Sequence, residues 1–505
     1  MIKRNKERAA NLGEAVILVD GLNSINLLYM LPIIRGLAKN RGITSVFFYM
    51  KHVESTEAVL FERIMSGLDT KILRRKNISL GLIDYRLYFC RISYLLYRCL
   101  FVRRKDLLEK TRDFRYYLNH AIWDLAFSLS VDGELTPGIT ARLRAFARLK
   151  KIEFVSIFMR RFSTDSVVFL GHNVYERRLL VTRMQQLQFT VFFHAGYCVA
   201  RQDSDHDRLP IIPSKLLMEL GRAVVKDSIT EDFWIRRQQG ETINTSTIEA
   251  LSIKSNRSLL KSFDSVIFLP VFRDSPFALI DPNRVFSDYI DWLKFTLQVL
   301  HGSDQSVLLK PHPSRRRWGE DSQKFIDKIF RELNLEQARA SIEYSEKSIE
   351  YHQIFKSVRK VITFRGTVHL EAACHGIKPI VVSDCLLTQT SNDLAFKPLS
   401  IHAYEHLLRD TNDGNFKLSD EQSKRARRLF FYREELIPFI RDVDGTLFLR
   451  GDSAALKKEV KDRIVKRLPD IEAPLEDLGK RLGQGLEQTC SLKYLGDLNT
   501  LTQRD

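Results

Sequence analysis

The sequence predicts an α/β protein made of two doubly wound parallel-sheet domains, with a helical insertion in the first domain and a helical tail at the end. A length of 505 residues is enough for about two to four domains. Two separate stretches alternate short apolar runs with helical apolar spacing, which is the pattern of repeated β-α-β units. With 44 % hydrophobic and 28 % charged residues, the chain is neither collagen-like nor wholly disordered.

The first domain is expected over residues 1–240. Its predicted strands are short apolar runs followed by a turn or a helix, at 15–19, 46–50, 154–158, 167–170 and 189–193. Mixed basic and aromatic residues with helical spacing, from about 56 to 149, predict a helical insertion between the second and third of these strands.

The second domain is expected over 255–400, after a polar stretch at 240–254 that is typical of a linker. Its predicted strands are 265–270, 306–309, 342–344, 360–363 and 379–383, and its main predicted helices are 286–300, 323–333 and 367–374. Residues 401–505 predict C-terminal helices and an amphipathic tail that begins near Lys457.

The charge balance favours an anionic partner. There are 79 Lys and Arg against 62 Asp and Glu, a formal net charge of +17, so a phosphorylated ligand, a nucleic acid or an acidic membrane could bind. Six cysteines fall at no metal-ligand spacing and indicate reduced thiols. The basic start MIKRNKERAA is not followed by the apolar region of a secretion signal, so a cytoplasmic location is expected.

The most membrane-like stretch, residues 80–102, is too polar to span a bilayer, since it carries Asp84, Arg86, Arg91 and Arg98. It predicts an aromatic, basic helix. Two interpretations remain open for it, a buried helix of a bundle with snorkelling arginines and a helix that lies on an anionic membrane surface.

Basic and hydroxyl residues directly follow the apolar run 306–309. Two prolines end the predicted strand and present Lys310, His312 and Ser314 at its carboxyl end, where doubly wound sheets bind ligands. A cation and an imidazole held by rigid prolines can bind phosphate oxygens, although the same residues could form a solvated basic turn.

A strand, a glycine turn and a helix follow further along the chain. Gly366 allows the backbone to approach an anion, and the amides from Gly366 to Val368 open a helix whose positive end favours phosphate. Glu371 lies one helical turn after Thr367 and could accept hydrogen bonds from ribose hydroxyls.

These strings together resemble the bacterial capsule and lipopolysaccharide glycosyltransferases of the GT-B type, the group that includes the Kdo transferases and sialyltransferase-like enzymes. The strings are SVIFLPVFRDSPF at 265–277, FSDYIDWLKFTL at 286–297, LLKPHP at 308–313 and TFRGTVHLEAACHGIKPIVV at 363–382. The resemblance covers about residues 260–385. It implies the GT-B fold, in which two Rossmann-like parallel-sheet domains face each other across a cleft. The domain at 1–240 would bind the acceptor, and the domain at 255–400 would bind the nucleotide sugar.

The resemblance also implies a nucleotide-sugar donor, which we expect to be CMP- or UDP-linked, and its binding residues. Lys310 and His312 would contact the nucleotide phosphates together with Gly366 and Thr367, and Glu371 would contact the ribose. Arg273 and Asp274 would lie on the loop that faces the cleft.

Three residues are candidates for the catalytic base. The group often has a carboxylate-x-Gly-aromatic pattern near the end of the first domain, and here His194 of FHAGY stands in the carboxylate position. His194 could act as the base, since the pKa of histidine lies near neutral pH, or it could simply end a strand. Asp20 and His172 also follow predicted strands, although Asp20 could equally form a turn. No convincing Asp-x-Asp element is present, so neither a metal nor another cofactor is implied.

We therefore expect a cytoplasmic glycosyltransferase that moves a sugar from a nucleotide-activated donor to a surface polysaccharide or lipid-linked acceptor, at or near the anionic inner face of the membrane. A polyol-phosphate transferase and a nucleotide-sugar epimerase share this fold and remain alternatives. A nucleic-acid-binding or scaffold protein would also explain the positive charge. The sequence holds no helix-turn-helix, zinc-finger or RNP-like string, so nucleic acid is not the expected partner.

Overall fold

Two separate β-sheets, joined by helices, form the structure. The structure is a computed structural model, and it describes residues 14–20, 24–49, 61–72, 80–108, 113–171, 174–194, 199–202, 224–238, 262–274, 285–303, 305–335, 341–345, 351–383, 385, 387–388, 393–436, 454–485 and 502–503. The strands within these residues are β1 Val16–Asp20, β2 Ser45–Tyr49, β3 Asp69–Ile72, β4 Val167–Leu170, β5 Thr190–His194, β6 Val199–Gln202, β7 Val224–Val225, β8 Phe263–Phe268, β9 Val307–Lys310, β10 Ile342–Tyr344, β11 Val358–Thr363, β12 Ile380–Val381 and β13 Thr502–Gln503. The α-helices are α1 Ser24–Arg41, α2 Leu82–Phe101, α3 Phe114–Ser128, α4 Ile139–Met159, α5 Glu176–Gln186, α6 Asp227–Gln238, α7 Tyr289–His301, α8 Ser322–Glu332, α9 Tyr351–Ser357, α10 Val368–Cys374, α11 Ile401–Arg409, α12 Asp420–Phe431 and α13 Ala454–Gly483.

The first sheet has the strand order β3-β2-β1-β4-β5-β6. The first five strands along the chain pair in parallel, and β6 returns antiparallel to β5. Every residue of β1 and β4 is buried, because both strands lie in the middle of a sheet that is covered on both faces. This sheet confirms the first of the two predicted parallel sheets.

The second sheet has the order β10-β9-β8-β11-β12, and all of its strand pairs are parallel. Helices connect successive strands, as the β-α-β pattern predicts. Strands β7 and β13 form a small antiparallel ribbon apart from both sheets. The chain therefore has the two-sheet GT-B architecture with a helical insertion and a helical tail, although the predicted linker at 240–254 lies outside the described residues.

Two of the expectations within the first domain were wrong. Residues 154–158 form the last turns of α4 rather than a strand, and a short apolar run cannot by itself distinguish the two. Val155 and Ile157 are buried because α4 packs against α2, α3 and α5. The predicted insertion also contains a strand, β3. Among the described strands it pairs only with β2, and Asp69 and Lys71 are about half exposed. Because β3 lies at the edge of the sheet, its sequence has no apolar pattern by which a strand could be predicted.

The helical insertion packs against both domains. Phe127 at the end of α3 lies 6.3 Å from Phe325 of α8, and Phe325 stacks on Phe272 at 4.8 Å. Arg104, which follows α2, lies 2.7 Å from Asp291 of α7. One continuous apolar core therefore runs from the first sheet through the insertion into the second domain.

The C-terminal tail returns to the first domain. Helix α13 packs along α1, where Leu475 and Leu482 join the core beneath the first sheet. The two helices approach so closely at Gly479 that an added Cβ would lie 2.0 Å from the carbonyl oxygen of Ile33. Arg35 also pairs with Glu472 at 2.8 Å. The tail is thus one of the covering layers of the first domain.

No helix of the described residues is long and apolar enough to cross a membrane. Of the cysteines that the structure describes, Cys99, Cys374 and Cys385 are buried, whereas Cys90 is exposed, and all four carry free thiols.

Candidate functional site

The carboxyl edge of the second sheet brings several predicted binding residues together. Phe268 at the end of β8 pairs in register with Lys310 of β9 and with Thr363 of β11. The loops that follow these three strands are therefore neighbours, and they carry the segments 270–274, 311–318 and 364–367. Because parallel strands end at the same edge, residues far apart in sequence line one side of the domain.

The first sheet presents an equivalent edge. Asp20 at the end of β1 pairs in register with Leu170 of β4, whose neighbour in β5 is Phe193. Asp20 is 6 % exposed, and its Oδ2 accepts a hydrogen bond from Arg177 Nε at 3.0 Å. The predicted residue His194 is the last residue of β5 and so belongs to the same edge.

A direct hydrogen bond joins the two edges. Tyr175 follows β4, and its hydroxyl donates to Asp274 Oδ1, which follows β8, at 2.6 Å. Burial, followed by the charge of Asp274, raises the pKa of Tyr175 well above its usual value, so the phenol stays protonated. The backbone of Tyr175 has a φ of 55°, an uncommon conformation for a bulky residue, which marks this turn as tightly specified. The two carboxyl edges therefore face each other, as the predicted cleft requires.

Lys310 and His312 lie at the centre of the second edge. Lys310 is 7 % exposed, and its carbonyl accepts from the amide of Leu269 at 2.9 Å, which ties β9 to the loop after β8. Burial, together with the nearby charge of Arg315, lowers the pKa of His312 to about 4. The imidazole is therefore neutral at neutral pH and can donate one N–H to an anion. Ser314 lies in the 3-10 helix Pro313–Trp318, and only its backbone is described.

The loop after β11 contains the predicted glycine turn. The amide of Gly366 donates to Thr363 Oγ1 at 3.2 Å, and Thr367 is the exposed N-cap of α10. Glu371, on the first turn of α10, is 7 % exposed, and its Oε1 accepts from Arg237 Nη2 of α6 at 2.5 Å. The side chain of Glu371, which is predicted to contact the ribose, is thus held in place by a buried ion pair.

Arg273 spans the two domains. Its Nη1 lies 3.6 Å from Asp132 Oδ1, and its Nη2 donates to the carbonyl of Ser128 at 3.4 Å, both in the helical insertion. Its backbone amide donates to Glu320 Oε2 at 2.8 Å. Its Nε is buried and has no hydrogen-bond partner within the protein.

The sequence analysis missed three polar groups at the same edge. His369 Nδ1 lies 2.6 Å from the carbonyl of Gly366, and because a carbonyl only accepts, Nδ1 carries the proton. Its Nε2 is a buried acceptor without a partner, and burial lowers the pKa of this ring to about 3. The hydroxyls of Ser345, after β10, and Ser383, after β12, are also buried without partners. Ser345 directly follows a predicted strand and Ser383 ends one, and this position was the signal that could have identified the two serines. His369 lies within a predicted helix and carried no such signal.

Two catalytic candidates are only partly placed. His172 lies outside the described residues, and of His194 only the backbone is described. Among the described residues, no group of three or more His, Cys, Asp and Glu side chains could hold a metal ion.

No protein-family model and no curated protein matches the sequence. Among solved structures, the chain aligns over 98 % of its length with 100 % of an α,α-trehalose 6-phosphate synthase from Burkholderia multivorans, at 9 % identity and a TM-score of 0.30. It aligns over 91 % of its length with 100 % of the Anabaena protein HepE in complex with UDP-glucose, at 11 % identity and a TM-score of 0.26. It aligns over 83 % of its length with 100 % of the UDP-GlcNAc 2-epimerase of Methanocaldococcus jannaschii, at 14 % identity and a TM-score of 0.21. Such low scores carry no functional argument, so the assignment of the GT-B architecture rests on the strand orders and the facing carboxyl edges.

Proposed function

We propose that this protein is a glycosyltransferase of the GT-B type that uses a nucleotide-activated sugar. One observation carries the proposal, the convergence of Lys310, His312, Arg273 and the turn at Gly366 on one sheet edge that faces the other domain. Several buried polar atoms without protein partners also lie at this edge, whereas most buried polar atoms in folded proteins are paired. The sequence resemblance supplies the reaction class, because fold alone does not fix function.

In this proposal the second domain binds the donor. Lys310 and Arg273 supply positive charge to the donor phosphate or phosphates, while His312, Ser314 and the backbone amides near Gly366 donate hydrogen bonds to the phosphate oxygens. Charge that develops on the leaving nucleotide is stabilised by the same groups, because they are already oriented before the reaction.

The ribose of the donor would be bound by Glu371. Arg237 occupies Oε1, so Oε2 is the oxygen proposed to accept hydrogen bonds from the ribose hydroxyls. Thr367, exposed at the start of α10, would contact the neighbouring phosphate. The buried pair with Arg237 limits the rotamers of Glu371 and so lowers the entropy lost on binding.

The first domain would bind the acceptor and supply the base. The reaction is displacement at the anomeric carbon of the sugar. The acceptor hydroxyl oxygen forms the new bond to this carbon, and the nucleoside diphosphate or monophosphate leaves. His194, Asp20 and His172 are the proposed candidates for the group that removes the hydroxyl proton. Arg177 fixes the orientation of the Asp20 carboxylate at the facing edge.

We further propose that the acceptor is a surface polysaccharide or a lipid-linked saccharide of the capsule or lipopolysaccharide type. The donor is proposed to be CMP- or UDP-linked, without a metal or other cofactor. The enzyme would act in the cytoplasm at the inner face of the membrane. The sequence strings at 265–277, 308–313 and 363–382 and the formal charge of +17 support these assignments.

A binding screen tests the proposal. Purified protein is titrated with CMP, UDP, GDP and TDP and with their sugar conjugates, and binding is followed by the rise in melting temperature and by calorimetry. We expect one base to bind selectively and its sugar conjugate to bind at least as well. If folded protein binds none of these nucleotides, the donor-site assignment is wrong.

A pair of variants then tests the base. His194→Ala and Asp20→Asn should lower turnover without changing donor affinity if either residue removes the acceptor proton, because the donor is bound by the other domain. A parallel loss of donor affinity would instead show that the residue supports the donor site.

A further inference from the structure

A cavity opens at the amino edge of the second sheet, at the opposite end of its strands from the proposed donor site. Its volume is about 660 Å³, which is within the range of small-molecule sites. Strand β11 begins at Val358 in the cavity wall and ends at Thr363 on the donor edge, and its six residues separate the two ends by about 17 Å. Helix α10 starts just after the turn at Gly366, and its last residue, Cys374, lines the cavity. The cavity is therefore distinct from the donor edge.

Positive charge predominates in the wall of this cavity. Five cationic side chains and two carboxylates line it, which gives a net charge of +3. The cations are Lys356, Arg359, Lys417, Lys424 and Arg427, and the carboxylates are those of Asp413 and Asp420. Asp413 pairs with Arg359 at 3.1 Å, so its charge is already balanced. Burial lowers the pKa of His375, which also lines the cavity, to about 4, so this ring is neutral at neutral pH.

Three of the cations converge on the cavity without a partner. Arg359 and Arg427 are each engaged in an ion pair with a carboxylate. The ammonium groups of the three lysines form no ion pair or hydrogen bond with any residue that the structure describes, and all three side chains are exposed. Lys356 lies on α9, Lys417 follows the 3-10 helix Asp413–Phe416, and Lys424 lies on α12. Convergence of three separate elements on one concave surface sets these lysines apart from isolated surface lysines.

Contacts between separate elements hold the cavity wall in place. Lys417 forms an antiparallel bridge with Ile377, which fixes the backbone of the first beside the end of α10. The ring of His375 packs 5.1 Å from Trp234 of α6 and 5.0 Å from Phe355 of α9. Because the wall is already formed, a ligand would mainly order the ends of the lysine side chains on binding.

We infer that this cavity is a second ligand site, which binds a small molecule that carries a phosphate group. A phosphate monoester has close to two negative charges at neutral pH and three acceptor oxygens, which match three lysine ammonium groups. Lysine binds phosphate as a point charge and needs no fixed geometry. The size of the cavity suits a small molecule rather than a macromolecular surface. The inference is independent of the proposed function, since none of the proposed donor or acceptor residues lines the cavity.

Protection of lysines from acetylation tests the inference at the level of single residues. The full chain is acetylated with and without inorganic phosphate or glycerol 3-phosphate at constant ionic strength, and each lysine is followed by mass spectrometry. With the probe at about ten times its dissociation constant, acetylation of Lys356, Lys417 and Lys424 should slow by up to about tenfold, by mass action. Lys151 and Lys466 are equally exposed outside the cavity and should react at an unchanged rate.

The two probes distinguish two sources of the phosphate group. Stronger protection by glycerol 3-phosphate would assign the site to a phosphorylated metabolite, and equal protection would assign it to the free ion. Either result supports a phosphate site.

A pair of double variants provides the matched control. Lys356→Gln with Lys424→Gln should weaken probe binding by about tenfold or more in calorimetric titrations, because two charged contacts are lost. Lys151→Gln with Lys466→Gln changes the net charge equally and should bind like the unaltered protein. Both pairs alter exposed side chains, so the variants are expected to fold. In His312→Ala, which alters the donor edge, the protection of the cavity lysines should remain.

Four outcomes would overturn the inference. The first is unchanged acetylation of the three lysines at millimolar concentrations of both probes, and the second is equal loss of binding in the test and control variants. The third is equal protection by malonate, a dianion without phosphate. The fourth is loss of protection in His312→Ala, which would place the bound phosphate at the donor edge. Because these assays contain no nucleotide, a failed donor-site assignment would be detected separately, in the nucleotide titrations.

Discussion

His312 is predicted to bind the donor phosphate as a neutral imidazole. Burial and the nearby Arg315 lower its pKa to about 4, so at pH 7 only about one ring in a thousand is protonated. Protonating the ring at pH 7 would cost about 4 kcal/mol, from three pH units at about 1.36 kcal/mol each. A hydrogen bond to a charged group returns only about 1.5 to 3 kcal/mol. Donation from the neutral N–H is therefore the favoured form of contact.

The variant His312→Ala should then weaken donor binding by about 10- to 150-fold, which is the loss of one hydrogen bond to a charged group. His312→Gln keeps a neutral donor and should recover much of the affinity. The assay is calorimetric titration at several pH values between 6 and 8, with a nucleoside diphosphate sugar whose own charge is constant over that range. His301→Ala, which alters an exposed histidine at the end of α7, is the control.

The pH dependence decides between the two protonation states. For a neutral donor, the ratio of the dissociation constants of His312→Ala and the unaltered protein should not change from pH 8 to pH 6. A ratio that grows about tenfold for each unit of acidification would show that the imidazolium binds, and it would refute the reasoning. Unchanged affinity of a folded His312→Ala variant would remove this residue from the site.

Three further predictions concern stability. Gly479→Leu should lower the free energy of unfolding by at least about 2 kcal/mol in denaturant melts, because the new side chain meets the backbone of Ile33. Arg237→Ala should cost about 3 to 5 kcal/mol in the same melts, because it leaves Glu371 buried without its cation. For His369 the pKa is lowered to about 3, so the unfolded state takes up a proton that the folded state does not, and stability is lost as pH falls below about 6.5. From pH 6.5 to 5 His369 contributes about 2 kcal/mol to this loss. His369→Gln should remove that share alone, because the pKa values of His312 and His375 are also lowered, each to about 4, and these residues contribute further loss over the same range.

Each of these predictions has a control. Gly302→Ala places its Cβ no closer than 3.5 Å to another atom and should be nearly neutral, so an equal loss there would contradict the close-packing argument. Replacing Arg237 and Glu371 together by methionine should recover much of the stability, and failure to do so would show that the pair does not act as a unit. His301→Gln should keep the full acid sensitivity of the unaltered protein.

The sequence was sufficient for the second sheet. Strand β9 lies within one residue of its predicted bounds, because a buried parallel strand is a continuous apolar run that ends at prolines, glycines or charges. The edge strand β10 also coincides with its prediction. The same rule placed Lys310, His312 and the turn at Gly366 at strand ends. Parallel pairing then required these strand ends to share one edge, so this half of the candidate site could be predicted before any contact was known.

The local sequence pattern gave a wrong prediction where other helices bury the residues. Residues 154–158 are apolar except for Ser156, because three helices cover that part of α4, and this short apolar run was therefore predicted as a strand. The sequence pattern also missed strand β3, because an exposed edge strand needs no alternation of apolar residues. In both cases the surroundings, rather than the residues themselves, set the pattern.

The sequence by itself determined the alternation of strands and helices, the excess of positive charge and the polar residues at the strand ends of the second domain. Only the tertiary structure decided which of those ends face each other, and it did so through contacts such as Tyr175 with Asp274 and Arg237 with Glu371, between residues 99 and 134 positions apart. It likewise placed α13 on α1 and left one face of α2 uncovered. Such pairings depend on how whole elements pack, and packing free energy is shared among many distant side chains, so no local stretch of sequence encodes it.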